Sequence, residues 1–255
     1  SEISFEITKG EIHCLLGENG AGKSTFAECL YGFYQPDAGD IYVRGKKAHI
    51  KSPSDAIAQG IGMVHQHFVL LQPMSILENI IVGTEAATPI LDFSLARERL
   101  NAICNEYGIS VDLDSKIWQL SVGEQQWVEI LKALFVGVDL LILDEPTAVL
   151  TPQEADKLFA ILRKMREDGL SILFITHKLR EVMAISDRVT VLQKGKQVST
   201  VKTAEVNQMD LACMMVGREV LFQVEKIDSQ PGDIVLEAKD LKATNDRGLP
   251  ALRGV

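Results

Sequence analysis

The sequence predicts an α/β fold with a mostly parallel sheet, and three observations point to it. Apolar runs of strand length alternate with amphipathic helical stretches, one run feeds a glycine-rich loop that opens a helix, and another ends in two adjacent carboxylates. Fully apolar strands separated by helices pack as a parallel core rather than as half-exposed hairpins.

The elements follow in order. Short strands are expected within residues 1–16, where Ile3-Ser4-Phe5-Glu6-Ile7 precedes the buried run Glu11-Ile12-His13-Cys14-Leu15-Leu16. Gly17-Glu18-Asn19-Gly20-Ala21-Gly22-Lys23-Ser24-Thr25 then fits G-x-x-x-x-G-K-S/T, and Thr25 to Tyr31 reads as a helix that can stop at Gly32. Glycines let backbone N–H groups close around phosphate oxygens, and a helix N-terminus adds partial positive charge. Lys23 would reach the β- and γ-phosphates of a nucleotide, and the Ser24 hydroxyl would ligate Mg²⁺. A chance glycine-rich turn fits poorly, because strand and helix sit where the motif requires them.

Residues at roughly 40–50 follow Pro36-Asp37-Ala38-Gly39 and turn at Arg44-Gly45-Lys46, which suits a small antiparallel sheet. A mainly helical insertion spans about Leu71 to Val136. In it Phe93 to Tyr107 sets Leu95, Ala96, Leu100, Ile103 and Cys104 on one face. Leu120-Ser121-Val122-Gly123-Glu124-Gln125-Gln126 opens a second helix with the stripe Val128, Ile130, Leu131, Leu134 and Phe135. Asp139 to Asp144 is a strand ending in Asp144-Glu145. A helix from Glu154 to Glu167, a strand from Ser171 to Thr176 that stops before His177, and a strand from Arg188 to Gln193 complete the core. At a strand end, Asp144 can hold Mg²⁺ directly or through water, and Glu145 is the natural base for a water attacking a γ-phosphate. His177 alone is as well read as a core or capping histidine. His65 and His67 flank Gln66 at i, i+2, but no carboxylate or cysteine of suitable spacing accompanies them as metal ligands.

Taken together, the phosphate loop, Gln66, the Leu-Ser-x-Gly-Glu-Gln run, the Asp144-Glu145 strand end and His177 make the chain closely resemble the ATP-binding-cassette (ABC) ATPases. The resemblance implies a P-loop NTPase core, an antiparallel β subdomain and a helical subdomain carrying the signature run. It implies ATP and Mg²⁺ as ligands, with Gly17 to Thr25 cradling phosphate, and Ser24, Gln66 and Asp144 serving the metal. Glu145, His177 and Gln66 would be the catalytic group. Ser121, Gly123 and Glu124 would bind the γ-phosphate of nucleotide held by an opposite cassette, so that two ATPs are sandwiched between two such domains. His67 to Ile80 would form part of a groove for a membrane subunit. The exposed apolar character of Phe68-Val69-Leu70-Leu71 suits that, and core packing suits it equally. Three departures stand out. Ala148-Val149-Leu150-Thr151 replaces a more common Ser-Ala-Leu-Asp, as in importers of simple sugars and nucleosides. Trp127 stands where an arginine is usual. The aromatic that stacks on adenine in relatives is not expected among residues 1–16.

Composition is that of an ordinary globular domain, with 46% hydrophobic and 24% charged residues in 255. No apolar stretch reaches spanning length and no signal-peptide pattern opens the chain, so a membrane location would come through a partner. A net charge of −9 without a basic stripe argues against nucleic acid as a partner. Cys14, Cys29, Cys104 and Cys213 lie in core-like segments without C-x-x-C, which reads as buried, reduced thiols.

The expected organisation is a first cassette at 1–222 with its helical subdomain at about 71–136, a polar linker at 223–233, and the opening of a second cassette at 234–255. On this reading the chain is a fragment of a tandem ATPase, and Ile234 to Leu241 is a strand able to dock on the first cassette's open sheet edge. The function expected is an ATP-hydrolysing subunit that powers import of a nucleoside or simple sugar. Its partners would be a second cassette, permease subunits at the cytoplasmic face of the cell membrane and, indirectly, a solute-binding protein. A non-transport cassette ATPase acting on ribosomes or DNA is the alternative.

Overall fold

The computed structural model describes residues 3–66, 68–82, 93–217, 233–244 and 250–254. The chain divides into two compact units, Ser1–Val220 and Leu221–Val255. In the first unit the elements are β1 (Ile12–Leu16), α1 (Lys23–Tyr31), β2 (Ile41–Val43), β3 (Lys46–Ala48), α2 (Pro53–Ala58), β4 (Ile61–Val64), α3 (Ile76–Val82) and α4 (Phe93–Tyr107). They continue with α5 (Val122–Val136), β5 (Leu140–Asp144), α6 (Pro152–Glu167), β6 (Ser171–Thr176), α7 (Leu179–Ile185), β7 (Arg188–Gln193), β8 (Lys196–Lys202) and α8 (Gln208–Val216).

A six-stranded sheet in the order β4-β5-β6-β1-β7-β8 forms the centre. Every neighbouring pair is parallel except β7 with β8. The five residues of β1 and the six of β6 are all buried, as expected of strands covered on both faces. One apolar cluster on the α5–α6 side contains Phe174, Leu141, Leu131 and Leu162, and a second contains Leu15, Ile142, Leu173 and Ala27. The small antiparallel sheet is the hairpin β2–β3, turned by Arg44 (φ 50) and Gly45 (φ 74). Both turn residues have positive φ, the requirement of a two-residue type I′ hairpin. Among the described residues no helix is long and apolar enough to cross a membrane.

Several expectations need correction. Residues 3–8 form no strand. Phe5 packs instead on the rings of His13 and Phe26, and the Ser4 N–H donates to the Gln197 side chain, so backbone pairing has been exchanged for side-chain contacts. The strand β4 is one that the sequence pattern does not single out. On α4, Leu100 and Cys104 are buried but Leu95 is exposed, because the helix presents a narrower apolar stripe than its composition suggests. Cys14 and Cys104 are buried, whereas Cys29 and Cys213 are only half-buried, and all four are free thiols.

In the second unit the described backbone is irregular at 233–241, with Ile234, Val235 and Leu236 exposed. The strand expected at 234–241 is absent. Among the described residues of this unit, the pairing is the antiparallel β9 (Lys242–Thr244) with β10 (Pro250–Arg253), since a short strand persists only where its N–H and C=O groups find a partner. Most of the expected linker, 223–232, lies outside the described residues, as does His67.

Candidate functional site

Parallel register decides what shares one end of the sheet. Leu16 lies opposite Thr176, Asp144 opposite Ile175, and Val64 opposite Leu143. The loop after β1, the carboxylates ending β5, His177 after β6 and Gln66 after β4 therefore all emerge at the C-terminal edge, where open α/β sheets bind ligands.

The glycine loop is shaped by steric necessity. A Cβ on Gly17 would lie 2.5 Å from the Leu192 carbonyl oxygen and 3.0 Å from Ala21 Cβ, so no other residue fits there without displacing β7. Gly22 caps α1 in the left-handed region at φ 97, which aims the first N–H groups of the helix into the loop. Within the loop Ala21 N–H donates to the Glu18 carbonyl. The Lys23 ammonium donates to the carbonyls of Gly17 (2.9 Å) and Glu18 (3.1 Å) and is buried. Burial pushes its pKa below the ordinary lysine value, with Glu145 and then Asp144 opposing that fall. Glu18 and Asn19 are exposed along the loop, while Ser24 and Thr25 are exposed on the first turn of α1.

Asp144 is 5% exposed, and its Oδ1 has no hydrogen-bond partner. Burial raises its pKa above the usual carboxylate range, the Ser24 hydroxyl pulls it back, and Glu145 pushes it further up. A buried carboxylate oxygen left open beside a serine hydroxyl is the donor set that a hard divalent cation completes. These residues fit Mg²⁺. Histidine, cysteine and carboxylate clusters able to hold a metal by themselves are absent among the described residues.

Glu145 sits at φ 47, a left-handed conformation that costs a non-glycine residue on the order of 1–3 kcal/mol. Its N–H donates to the Ile175 carbonyl at 3.0 Å, which pins the strained turn to β6. This kink turns the side chain toward His177, whose Nδ1 lies 2.8 Å from Glu145 Oε1. Carboxylate and imidazole thus form a pair at the mouth of the loop. Gln66 is exposed two residues past the end of β4, and the bond that joins the pair runs between Glu145 and His177 alone. His65, next to Gln66, packs against Tyr31 and Phe33, and burial lowers its pKa below the ordinary histidine value.

The signature residues are built differently. Ser121 caps α5, its hydroxyl accepting from Glu124 N–H while Glu124 Oε2 accepts from Ser121 N–H at 2.8 Å, a reciprocal capping box. Gly123 packs so closely on α6 that a Cβ would meet Glu154 Oε1 at 2.8 Å. Ser121, Gly123, Glu124, Trp127, Leu150 and Glu154 line a cleft of about 210 Å³. Trp127 is half-buried against the main apolar cluster there, so its ring serves as packing beneath the start of α5. The structure thus gathers Lys23, Ser24, Asp144, Glu145 and His177, whereas the Ser121 hydroxyl is bonded to Glu124 within its own capping box. Beyond Gln66, Val69 and Leu71 are exposed while Leu70 packs on the core, so the Phe68–Leu71 stretch divides between surface and interior. Sequence reasoning missed Glu181, Lys178 and the threonines they join, since the contact between Thr147 and Glu181 spans 34 residues and carries no motif.

A family model described as ABC transporter matches residues 1–148. The chain is 48% identical to the glucose import ATP-binding protein TsgD13 of Haloferax volcanii, covering 99% of this chain and 51% of that protein. It is 48% identical to the nucleoside import ATP-binding protein NupA of Lactococcus lactis subsp. cremoris, covering 100% of this chain and 50% of the relative. The chain spans about half the length of the curated relatives it matches. Among solved structures, the ADP conformation of MJ1267, an ATP-binding cassette of an ABC transporter, superposes with a TM-score of 0.74 at 25% identity, over 85% of this chain and 91% of that one.

Proposed function

The chain belongs to the ABC transporter family, and from that membership we propose that it is the ATP-binding and ATP-hydrolysing part of a solute importer. The observation that carries the proposal is the Glu145–His177 pair, 2.8 Å apart, at the same sheet edge as the buried Lys23. ATP is the substrate. Backbone N–H groups of Gly20 to Thr25 and the Lys23 ammonium hold its phosphates, and the α1 N-terminus adds its dipole. Mg²⁺ would be held by Ser24, Gln66 and Asp144, and would supply charge neutralisation at the phosphates. Glu145 takes the proton of the attacking water, and His177 orients Glu145 and the γ-phosphate. Ser121, Gly123 and Glu124 complete the site of a second cassette, which explains why they lie apart from Lys23.

The import role is supported by the relatives named for glucose and nucleoside import, which favour a small polar cargo of that class over the ribosomal or DNA alternative. Permease subunits would hold the domain at the cytoplasmic face of the membrane, with a solute-binding protein as an indirect partner. We assign 1–222 to the first cassette, 223–233 to a linker and 234–255 to the opening of a second cassette.

Lys23→Ala tests the nucleotide assignment. Loss of a charge-assisted contact worth about 1.5–3 kcal/mol should weaken ATP–Mg²⁺ binding at least about tenfold by calorimetry. Unchanged affinity overturns it. Affinity capture of the intact protein should recover a multispanning membrane subunit, and recovery of ribosomes instead would favour the alternative.

A further inference from the structure

We infer that Glu181 is a positioning residue for the Glu145–His177 pair, a role that presupposes the ATPase reading above. Glu181 lies in the first turn of α7 and is 8% exposed. Its Oε1 accepts from the Thr147 hydroxyl, and its Oε2 accepts from the Thr176 hydroxyl at 2.7 Å. The Lys178 ammonium stands 3.1 Å from Oε1 and also donates to the Thr147 carbonyl at 3.2 Å. Lys178 N–H donates in turn to the Thr176 hydroxyl at 3.1 Å.

The sequence positions of these partners give the network its meaning. Thr147 stands two residues after Glu145, and Thr176 immediately precedes His177. One buried carboxylate therefore ties the turn after β5 to the turn after β6, the two turns that carry the reacting pair. Such a tie supports the Glu145 backbone, whose strained left-handed conformation is joined to β6 through the bond of its N–H to the Ile175 carbonyl. A misplacement of about 1 Å in a reacting constellation can cost about 10²-fold in rate. A glutamate serving α7 alone would accept hydrogen bonds from the N–H groups of its own first turn. This one accepts from hydroxyls on two other strand ends, across 34 residues in the case of Thr147.

The test uses the intact protein assembled with its partner subunits, measuring ATP turnover against ATP concentration. Glu181→Gln replaces one of the two acceptor oxygens by an amide donor, so one of the two threonine hydroxyls loses its acceptor. Turnover should fall about 10- to 100-fold, with the ATP KM within about twofold of the parent. In a His177→Ala background the same change should have less than about a twofold further effect, because both act on one unit. Glu181→Asp should fall between. If Glu181→Gln does not fold, Thr176→Val removes one arm of the bridge and carries the same prediction. Full multiplicative losses in the double variant, or a raised KM with turnover preserved, overturn the role. A parent protein that does not turn over ATP overturns the ATPase reading instead, and this role with it.

Discussion

Glu145 occupies a backbone conformation that few non-glycine residues tolerate, and its side chain meets His177 because of it. If that carboxylate is the base, Glu145→Gln in the assembled protein should retain ATP binding and lose about 10²- to 10⁴-fold in turnover, the range for general bases. His177→Ala should behave alike, and parental turnover in both variants sinks the assignment. At the opposite end of β1, His13 is fully buried, with Nε2 2.8 Å from the Thr190 hydroxyl and Nδ1 3.0 Å from Glu11 Oε1. Burial lowers its pKa from 6.5 to about 4, outweighing the attraction of Glu11, whose Oε1 lacks an aligned hydrogen bond to the ring. The folded pKa is the lower one, so the unfolded chain binds the extra proton first. Stability is undiminished above about pH 6.5 and falls as pH drops from there to about 4, by up to about 3 kcal/mol. In His13→Gln the fall over that window should be correspondingly shallower in urea titrations. An unaltered pH profile would mean that the ring is not held neutral.

Elements end and begin where the chain has no alternative. Gly32 stops α1 at φ 84, and a Cβ there would lie 2.6 Å from the Ser52 carbonyl oxygen, itself part of the N-cap of α2. Gly32→Ala must therefore take the left-handed penalty of about 1–2 kcal/mol and also displace the α2 cap. Thermal unfolding should register a loss larger than that penalty alone, and a smaller loss would show that the α1–α2 contact yields freely. Where turns and caps act locally, the sequence was legible. Gly32, the Arg44–Gly45 turn and the strands Ser171–Thr176 and Arg188–Gln193 all lie where periodicity and punctuation put them, whereas α6 starts at Pro152 behind a Thr151 cap, two residues before the expected Glu154. Residues 3–8 were misread because apolar content alone does not distinguish a strand from a segment whose Phe5 packs on His13 and Phe26.

At the scale of the whole molecule, Ser121 and Gly123 sit in a cleft with Leu150 and Glu154 rather than with Lys23. Binding and hydrolysis should then separate. Ser121→Arg should leave ATP affinity intact while lowering turnover about 10²-fold, as for loss of one preorganised donor at a transition state. A parallel loss of affinity would place Ser121 in its own domain's site and overturn the two-cassette arrangement.

The sequence by itself determined the α/β class, the glycine loop, the Asp144-Glu145 strand end and the family resemblance, because each is written in contiguous residues with a spacing that chemistry demands. The geometry of the Glu145–His177 pair and the Thr147–Glu181–Thr176 bridge was decided only by tertiary structure. Parallel pairing of β5 with β6 and of β6 with β1 sets distant strand ends side by side, and nothing local in the chain encodes which strands become neighbours. That choice rests on how the two faces of the sheet are covered, a property of the packed molecule.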